Sequence, residues 1–309
     1  MKTKTAIRIL AILLAVISFN LTGCKKDKEV ADPDTSSLQQ LSKDQQSIES
    51  TTDDVSNDVN NVLSHGSSKS IETFPCNVTV DSSSIVGDTI TYSITFNGLN
   101  CAGTRTRYGN ATVKRNINTH WSQAGTKVTV NYLNVVVTKV STGKSVTVNG
   151  THVFENVSGG YLTDLGSSAT SIIHKITGQM QFKFDDNTTR TWTVAKQRTF
   201  TGTIGQLVVT VDGLGSADGY SNLVWWGTNR NGELFYTQIT HPIVYKQSCG
   251  WDPTSGTVIH QIPSDSKSAT ITYGYNSSNQ LITNGDCPTK YKLDWQKNGH
   301  SGTIFLPLL

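Results

Sequence analysis

The residues of this chain best suited to recognising a ligand are aromatic. Trp225, Trp226, Tyr236, Tyr245 and Trp251 fall within 27 positions. Successive side chains on a strand point to opposite faces. One of Trp225 and Trp226 can therefore fill a core, while the other must face solvent or be covered by a loop or helix. Left open beside tyrosines, such an indole makes a platform for stacking a sugar ring or anchoring a protein partner. Trp225, Trp226, Tyr236 and Trp251 are accordingly the candidate ligand-binding residues.

Residue patterns for catalysis are weaker. The histidines stand at 65, 120, 152, 174, 241, 260 and 300. None shows the i, i+4 spacing of a zinc-protease helix, and none sits near a paired carboxylate. The chain has no G-x-S-x-G nucleophile elbow. Glu155, Asp164, Asp185, Asp212, Asp218, Glu233, Asp252 and Asp294 lie mostly in or beside expected turns. A glycosidase needs two carboxylates about 5–10 Å apart across a cleft, and the sequence suggests no such pair. Asp212-Gly213-Leu214-Gly215-Ser216-Ala217-Asp218-Gly219 offers only two carboxylates for Ca²⁺ and lacks the EF-hand spacing. A simple Gly/Asp loop is the better reading there. No catalytic residue, metal ligand or cofactor is assigned, and a non-enzymatic role is expected.

Five cysteines are present. Cys76, Cys101, Cys249 and Cys287 form an even set that allows three pairings. Outside the cytoplasm such thiols oxidise, and proximity favours Cys76–Cys101 and Cys249–Cys287. Each closed loop would add roughly 3–4 kcal/mol in the chain-entropy account. A zinc site is the alternative, but the C-x₂-C spacing it favours is absent.

The fifth, Cys24, ends the run Leu21-Thr22-Gly23-Cys24. Behind it lie an apolar stretch, Ile9 to Phe19, and the cations Lys2, Lys4 and Arg8. The apolar stretch is about half of what a membrane-spanning helix needs and reads as a processing signal. The four residues resemble the lipobox of bacterial lipoproteins. That resemblance implies cleavage before Cys24, a diacylglyceryl thioether on its sulfur and a further acyl chain on its amine. Two or more chains anchor firmly, so a lipid bilayer is the expected partner of acylated Cys24. Lys25-Lys26-Asp27-Lys28-Glu29 follows with no Asp directly after the cysteine, which by the same resemblance disfavours inner-membrane retention. The cluster is also similar to the surface-export signal of Bacteroidota lipoproteins, though it would serve equally as a solvated tether. The implied location is the outer membrane, at the cell surface.

Loss of residues 1–23 leaves 286 of the 309 residues, enough for one large β domain or two smaller ones. It also leaves 23 basic against 23 acidic side chains. The charge is polarised: residues 25–72 carry a net −5, and residues 73–309 a net +5. A modestly basic body suits an anionic glycan or lipopolysaccharide, but its Lys and Arg are too scattered for nucleic acid.

Positioning of these groups falls to two kinds of element. Leu38, Leu41, Gln45, Ile48, Thr52, Val55, Val59 and Val62 alternate spacings of three and four, predicting an amphipathic helix over about 36–63. Ser36 or Ser37 would cap it and Gly66 would stop it. Its stripe would dock on the β body or, as the alternative, form a coiled-coil stalk weakened by Gln45 and Thr52.

From residue 76 the period is two. Ile90, Tyr92, Ile94 and Phe96 share one face, with Thr89, Thr91, Ser93 and Thr95 on the other. Val128, Val130 and Tyr132 repeat the pattern, as do Met180, Phe182 and Phe184, then Trp192 and Val194, then Leu207, Val209 and Val211. Thr142-Gly143, Asp185-Asp186-Asn187, Asn231-Gly232 and Asn298-Gly299 mark turns. About a dozen strands are expected, with no further helix.

The fold class is therefore all-β, an antiparallel sandwich or barrel-like body preceded by one N-terminal helix. The organisation is a signal peptide at 1–23, an acidic tether with its helix at 24–72, and a β body at 73–309. Two segments, each ordered as cysteine, strand, glycine, cysteine and basic-aromatic strand, suggest two related lobes meeting near 159–168. Asn229-Arg230-Asn231-Gly232 before Phe235-Tyr236, with Tyr273-Gly274 through Cys287 and Asn298-Gly299, is similar to motifs of a group of uncharacterised Bacteroidota outer-membrane lipoproteins. This resemblance implies a location and a β fold, and carries over no catalytic residue.

The expected function is binding of a glycan or another envelope protein by the β body. A fimbria-like subunit donating the apolar terminus Thr303–Leu309 is the alternative. A polysaccharide hydrolase with two converging carboxylates stands behind both.

Overall fold

This computed structural model describes residues 35–65, 76–283 and 285–308, with backbone alone for 53–65 and 82–83. The signal segment 1–23, Cys24 and the charged cluster after it lie outside the described residues. Residues 35–309 form one compact unit.

The helix α1 spans Ser36–His65. Its first-turn amides Leu38 N and Gln39 N bond the carbonyl of Thr35, and the Gln39 amide donates to Thr35 Oγ1. The cap is therefore Thr35, one residue ahead of the two serines. No helix among the described residues is long and apolar enough to cross a membrane, a statement that does not concern β-barrels.

Among the described residues fifteen strands follow. They are β1 Val78–Val86, β2 Thr89–Leu99, β3 Arg105–Asn116, β4 Thr126–Lys139, β5 Ser145–Asn156, β6 Ile172–Phe184, β7 Thr189–Thr201 and β8 Val208–Gly213. Then come β9 Gly215–Ala217, β10 Tyr220–Thr228, β11 Leu234–Lys246, β12 Pro253–Ile262, β13 Lys267–Tyr275, β14 Lys290–Lys297 and β15 His300–Pro307. The body is an antiparallel, all-β, sandwich-like fold, with α1 before it.

Each of β1 to β7 pairs with the next, and the order resumes as β10 to β15. Between β7 and β11 one slot is shared end to end. Trp225–Thr228 of β10 pairs the first part of β7, and β8 pairs its last part, Lys196–Thr201. The loop 157–171 does not interrupt the sheet, because β5 and β6 pair from Val146↔Phe184 to Asn156↔His174.

A sheet this wide cannot stay flat, since strand twist accumulates and large open sheets curl. Mid-strand glycine helps it bend. At Gly150, φ is +125° and a Cβ would lie 2.3 Å from the carbonyl oxygen of Gln179 on β6, so only glycine lets the backbones approach so closely. The curl encloses α1. Residues reaching it come from β3, β7, the β10–β11 hairpin, β13 and β14.

Alternation places the core. Ile94, Phe96, Val128, Val130, Phe182, Trp192, Val194 and Val211 are all buried, on the faces that the period of two predicts. Leu38, Leu41, Gln45, Ile48 and Thr52 of the helical stripe are buried too, so this part of the helix docks on the body rather than forming a stalk. The cysteines pair as Cys76–Cys101 and Cys249–Cys287, with Cα separations of 5.0 and 5.3 Å.

Candidate ligand-binding site

The faces of β10 and β11 separate the four candidate aromatics. Trp225 points inward, is 2% exposed, and stacks on Trp192 at 5.8 Å between ring centroids. Trp226 takes the opposite face, opposite Tyr236 on the neighbouring strand. It is half-buried because β9 crosses it: a Cβ on Gly215 would lie 2.4 Å from Trp226 Cζ3. Tyr236 is also buried, stacked on Tyr220 at 4.5 Å, and its hydroxyl donates to Asp218. That bond pushes the Tyr236 pKa up to about 12. The expected open platform at Trp225 and Trp226 is therefore absent, since one indole is core and the other is covered by a strand.

Trp251 remains. It is 39% exposed and sits in the left-handed backbone region at φ +68°, directly after Gly250 at +67°. A bulky residue held there is strained. The Cys249–Cys287 disulfide pins the segment two residues before it.

Trp251 fronts a cavity of about 360 Å³ beneath α1. The sheet side of the wall is apolar, with Phe200 of β7, Leu207, Val209 and Val211 in and before β8, and Trp225 and Tyr245. The helix contributes Gln45, Gln46, Glu49 and Ser50. Arg105 of β3 and Arg198 of β7 bring cationic groups, and Asp252 borders Trp251. Two of the four sequence candidates, Trp225 and Trp251, thus share one cavity, with Tyr245 from the same aromatic cluster.

Charge around the cavity is organised by the helix. Glu49 accepts from the buried Lys196 ammonium. Asp44 takes a two-pronged fork from Arg230, Nε at 2.7 Å and Nη2 at 2.6 Å. Arg230 is the second residue of the Asn229-Arg230-Asn231-Gly232 hairpin. There Asn229 Oδ1 accepts the amides of Asn231 and Glu233, and the resulting tight turn presents the guanidinium to α1. Arg190, wholly buried, donates Nη2 to Gln45 Oε1 at 2.6 Å and lies 4.3 Å from the Phe235 ring centroid. Burial pulls its pKa down to about 10, which leaves it charged at neutral pH. Arg105 Nη2 donates to Ser50 Oγ at 2.6 Å. Burial raises the Asp252 carboxyl above its ordinary range, with Lys139 opposing.

Three of the histidines belong to the core. His152 packs edge-on against Tyr132 and Phe154. His174 lies between Trp121 and Phe200, and burial with nearby Arg198 lowers its pKa to about 4. His260 pairs Nδ1 with the Thr237 hydroxyl at 2.8 Å, and burial with Arg190 takes it to about 3. The Asp212–Gly219 stretch forms the end of β8, β9 and the turn into β10. Among the described residues no group of three or more His, Cys, Asp or Glu is placed to hold a metal.

Sequence reasoning placed Gln45 on the helical stripe but marked neither it nor Arg105, Arg198, Glu49 and Ser50 as site residues. One signal was available in β7. Arg190, Lys196 and Arg198 share the strand face of Trp192, Val194 and Phe200, which marks the charges as inward. Comparison with protein-family models, curated proteins and solved structures finds no match to this chain.

Proposed function

We propose that this chain is a lipid-anchored, non-enzymatic binding protein of the cell envelope, held in the outer membrane through acylated Cys24. Its β body takes a ligand in the cavity under α1. The observation that carries this reading is Trp251, a large aromatic held at φ +68° and left exposed where it fronts the cavity. Holding a residue there costs about 1–3 kcal/mol and is typical of functional sites. The cavity volume falls within the range of small-molecule pockets, ~300–1,000 Å³.

The expected ligand face moves accordingly, from Trp226 and Tyr236, which lie under β9 and against Tyr220, to Trp251. The fimbria-like reading loses support because the terminal segment already pairs along β14, from Lys290↔Pro307 to Lys297↔His300. A hydrolase is the second reading. Glu49 and Asp252 line the same cavity, and a carboxyl with a raised pKa suits a general acid. Against it, Glu49 is committed to Lys196.

Native mass spectrometry of the protein extracted from its own envelope tests the binding reading. A retained small-molecule mass should disappear in Val209→Trp, which fills the cavity, and in Trp251→Ala, which opens its border. Retention in both variants would sink the assignment. Turnover of polysaccharide that stops in Asp252→Asn would replace it with the hydrolase.

A further inference from the structure

We infer that the end of the β body around Trp251 is a docking face for an anionic lipid bilayer. The inference rests neither on Cys24 nor on a ligand in the cavity. Three loops bring large apolar side chains to this end. Trp251 is the one exposed tryptophan among the described residues. Ile204, 57% exposed, sits in the loop between β7 and β8. That loop is fastened beside Trp251, because the amides of Gly205 and Leu207 donate to Gln247 Oε1 at 2.8 and 3.2 Å. Leu281, 56% exposed, lies in the loop between β13 and β14, which the Cys249–Cys287 bond ties to the Trp251 turn. Leu281 borders Gly274 where that glycine meets the carbonyl of Thr254, three residues from Trp251. Single exposed apolar residues are ordinary, but three gathered from separate loops mark a contact surface.

Charge selects what covers it. The Trp251 amide bonds the carbonyl of Lys246. Lys290 reaches Ser277 O and Asn279 Oδ1 in the Leu281 loop, at 2.8 Å each. Lys139 acts on the Asp252 carboxyl beside Trp251, and Lys144 bonds Lys139 across the hairpin that joins β4 to β5. Against these four cations stand Asp252 and Asp286, so four less two leaves a net of two positive charges. Arg105 and Asp164 at the same end cancel. The attraction belongs to this rim and not to the body as a whole, since Arg190, Lys196, Arg230 and Lys267 turn inward onto α1. Protein interfaces are depleted of lysine. A membrane face keeps it: indole and aliphatic groups enter the headgroup region while lysines reach the phosphates. Each cation near an anionic surface strengthens binding about fivefold. Even one myristoyl chain binds only marginally and reversibly, so three side chains make a contact that dilution and salt release.

The test uses the mature chain exported behind an ordinary cleavable signal in place of residues 1–24, so that both disulfides form and the compact unit is kept whole. Co-sedimentation would compare vesicles of phosphatidylcholine with vesicles that also hold phosphatidylglycerol. The anionic vesicles should bind at least tenfold more tightly, and ~1 M salt, which shortens the Debye length to ~3 Å, should erase the difference. Ile204→Asp/Leu281→Asp should lose at least tenfold with its melting temperature unchanged; neither residue lines the cavity, so loss here says nothing against a cavity ligand. Brominated lipid should quench the tryptophan fluorescence of the unaltered chain, whereas Trp251→Leu should bind and show no quenching. Binding that the double variant leaves intact, equal binding to neutral vesicles, or no binding at all overturns the inference. A dimer in solution that the double variant dissociates, with no vesicle binding, assigns the face to a second copy and overturns it too.

Discussion

Replacing Glu49 by Gln removes the carboxylate that the Lys196 ammonium bonds inside the curl of the sheet. The two side chains are 8% and 4% exposed, so neither is solvated in compensation. Removing one partner of a buried pair costs about 3–5 kcal/mol. Domains are stable by only ~5–15 kcal/mol, so the loss is a large share of the total. With a urea m-value of about 3 kcal/mol/M, the midpoint should fall by ~1–1.7 M.

The double variant Glu49→Leu/Lys196→Met should behave differently. Replacing both charges with apolar groups of similar volume is often neutral or stabilising by ~1–4 kcal/mol. The singles Glu49→Leu and Lys196→Met and the double therefore form a cycle whose coupling should exceed about 2 kcal/mol. Urea unfolding with the disulfides intact, followed by tryptophan fluorescence and near-UV circular dichroism, reads the four proteins of the cycle and Glu49→Gln. If Glu49→Gln costs less than ~1 kcal/mol, or the double costs the sum of the singles, the pair does not hold α1 in place and the reasoning fails.

Acid should weaken the fold through its buried imidazoles. His174 titrates at about 4 and His260 at about 3 in the native chain, against ~6.5 unfolded. The unfolded chain then binds more protons between these limits. Their contribution is complete above pH ~6.5 and is lost as pH falls toward the native values, at ~1.4 kcal/mol per pH unit for each group. His174→Phe should flatten the slope of stability between pH 6 and 4.5 by that amount, and an unchanged slope would refute its share. Trp225→Ala should cost ~3–5 kcal/mol as a core truncation. Trp251→Gly should cost nothing or stabilise, since glycine adopts φ +68° without strain. Thermal melts of the two variants would separate a core indole from a ligand indole. Cys24→Ala should abolish palmitate labelling and free the chain from membranes, and retention in the membrane fraction would sink the anchor.

Local patterns were legible in the sequence because they repeat within a few residues. The alternation of Ile94 and Phe96 set the inner face of β2, and the helix expected over 36–63 is found at Ser36–His65. Cysteine proximity named both disulfides. What escaped depends on distant chain segments. The three-residue β9 is too short to carry a period, yet it covers Trp226. Its weight lies in Gly215, whose lack of a side chain is visible only against the ring it admits. The cavity gathers residues from Gln45 to Leu308, and no spacing rule connects positions so far apart.

The charge polarity of the chain shows how a correct count can point the wrong way. An acidic leader and a basic body suggested a body facing an anionic partner outside. In the structure Arg190, Lys196, Arg230 and Lys267 turn inward, onto Gln45, Glu49, Asp44 and Ser37 of α1. The two halves of the charge pattern therefore meet each other within one chain. Long-range attraction needs charge that is exposed and unneutralised, so these cations contribute little to a surface field. They tie α1 to the body, although Arg230 also meets Asp186 and Lys267 also meets Glu233 and Asp265 away from the helix. Arg105, which also lines the cavity, donates to a serine hydroxyl on the helix.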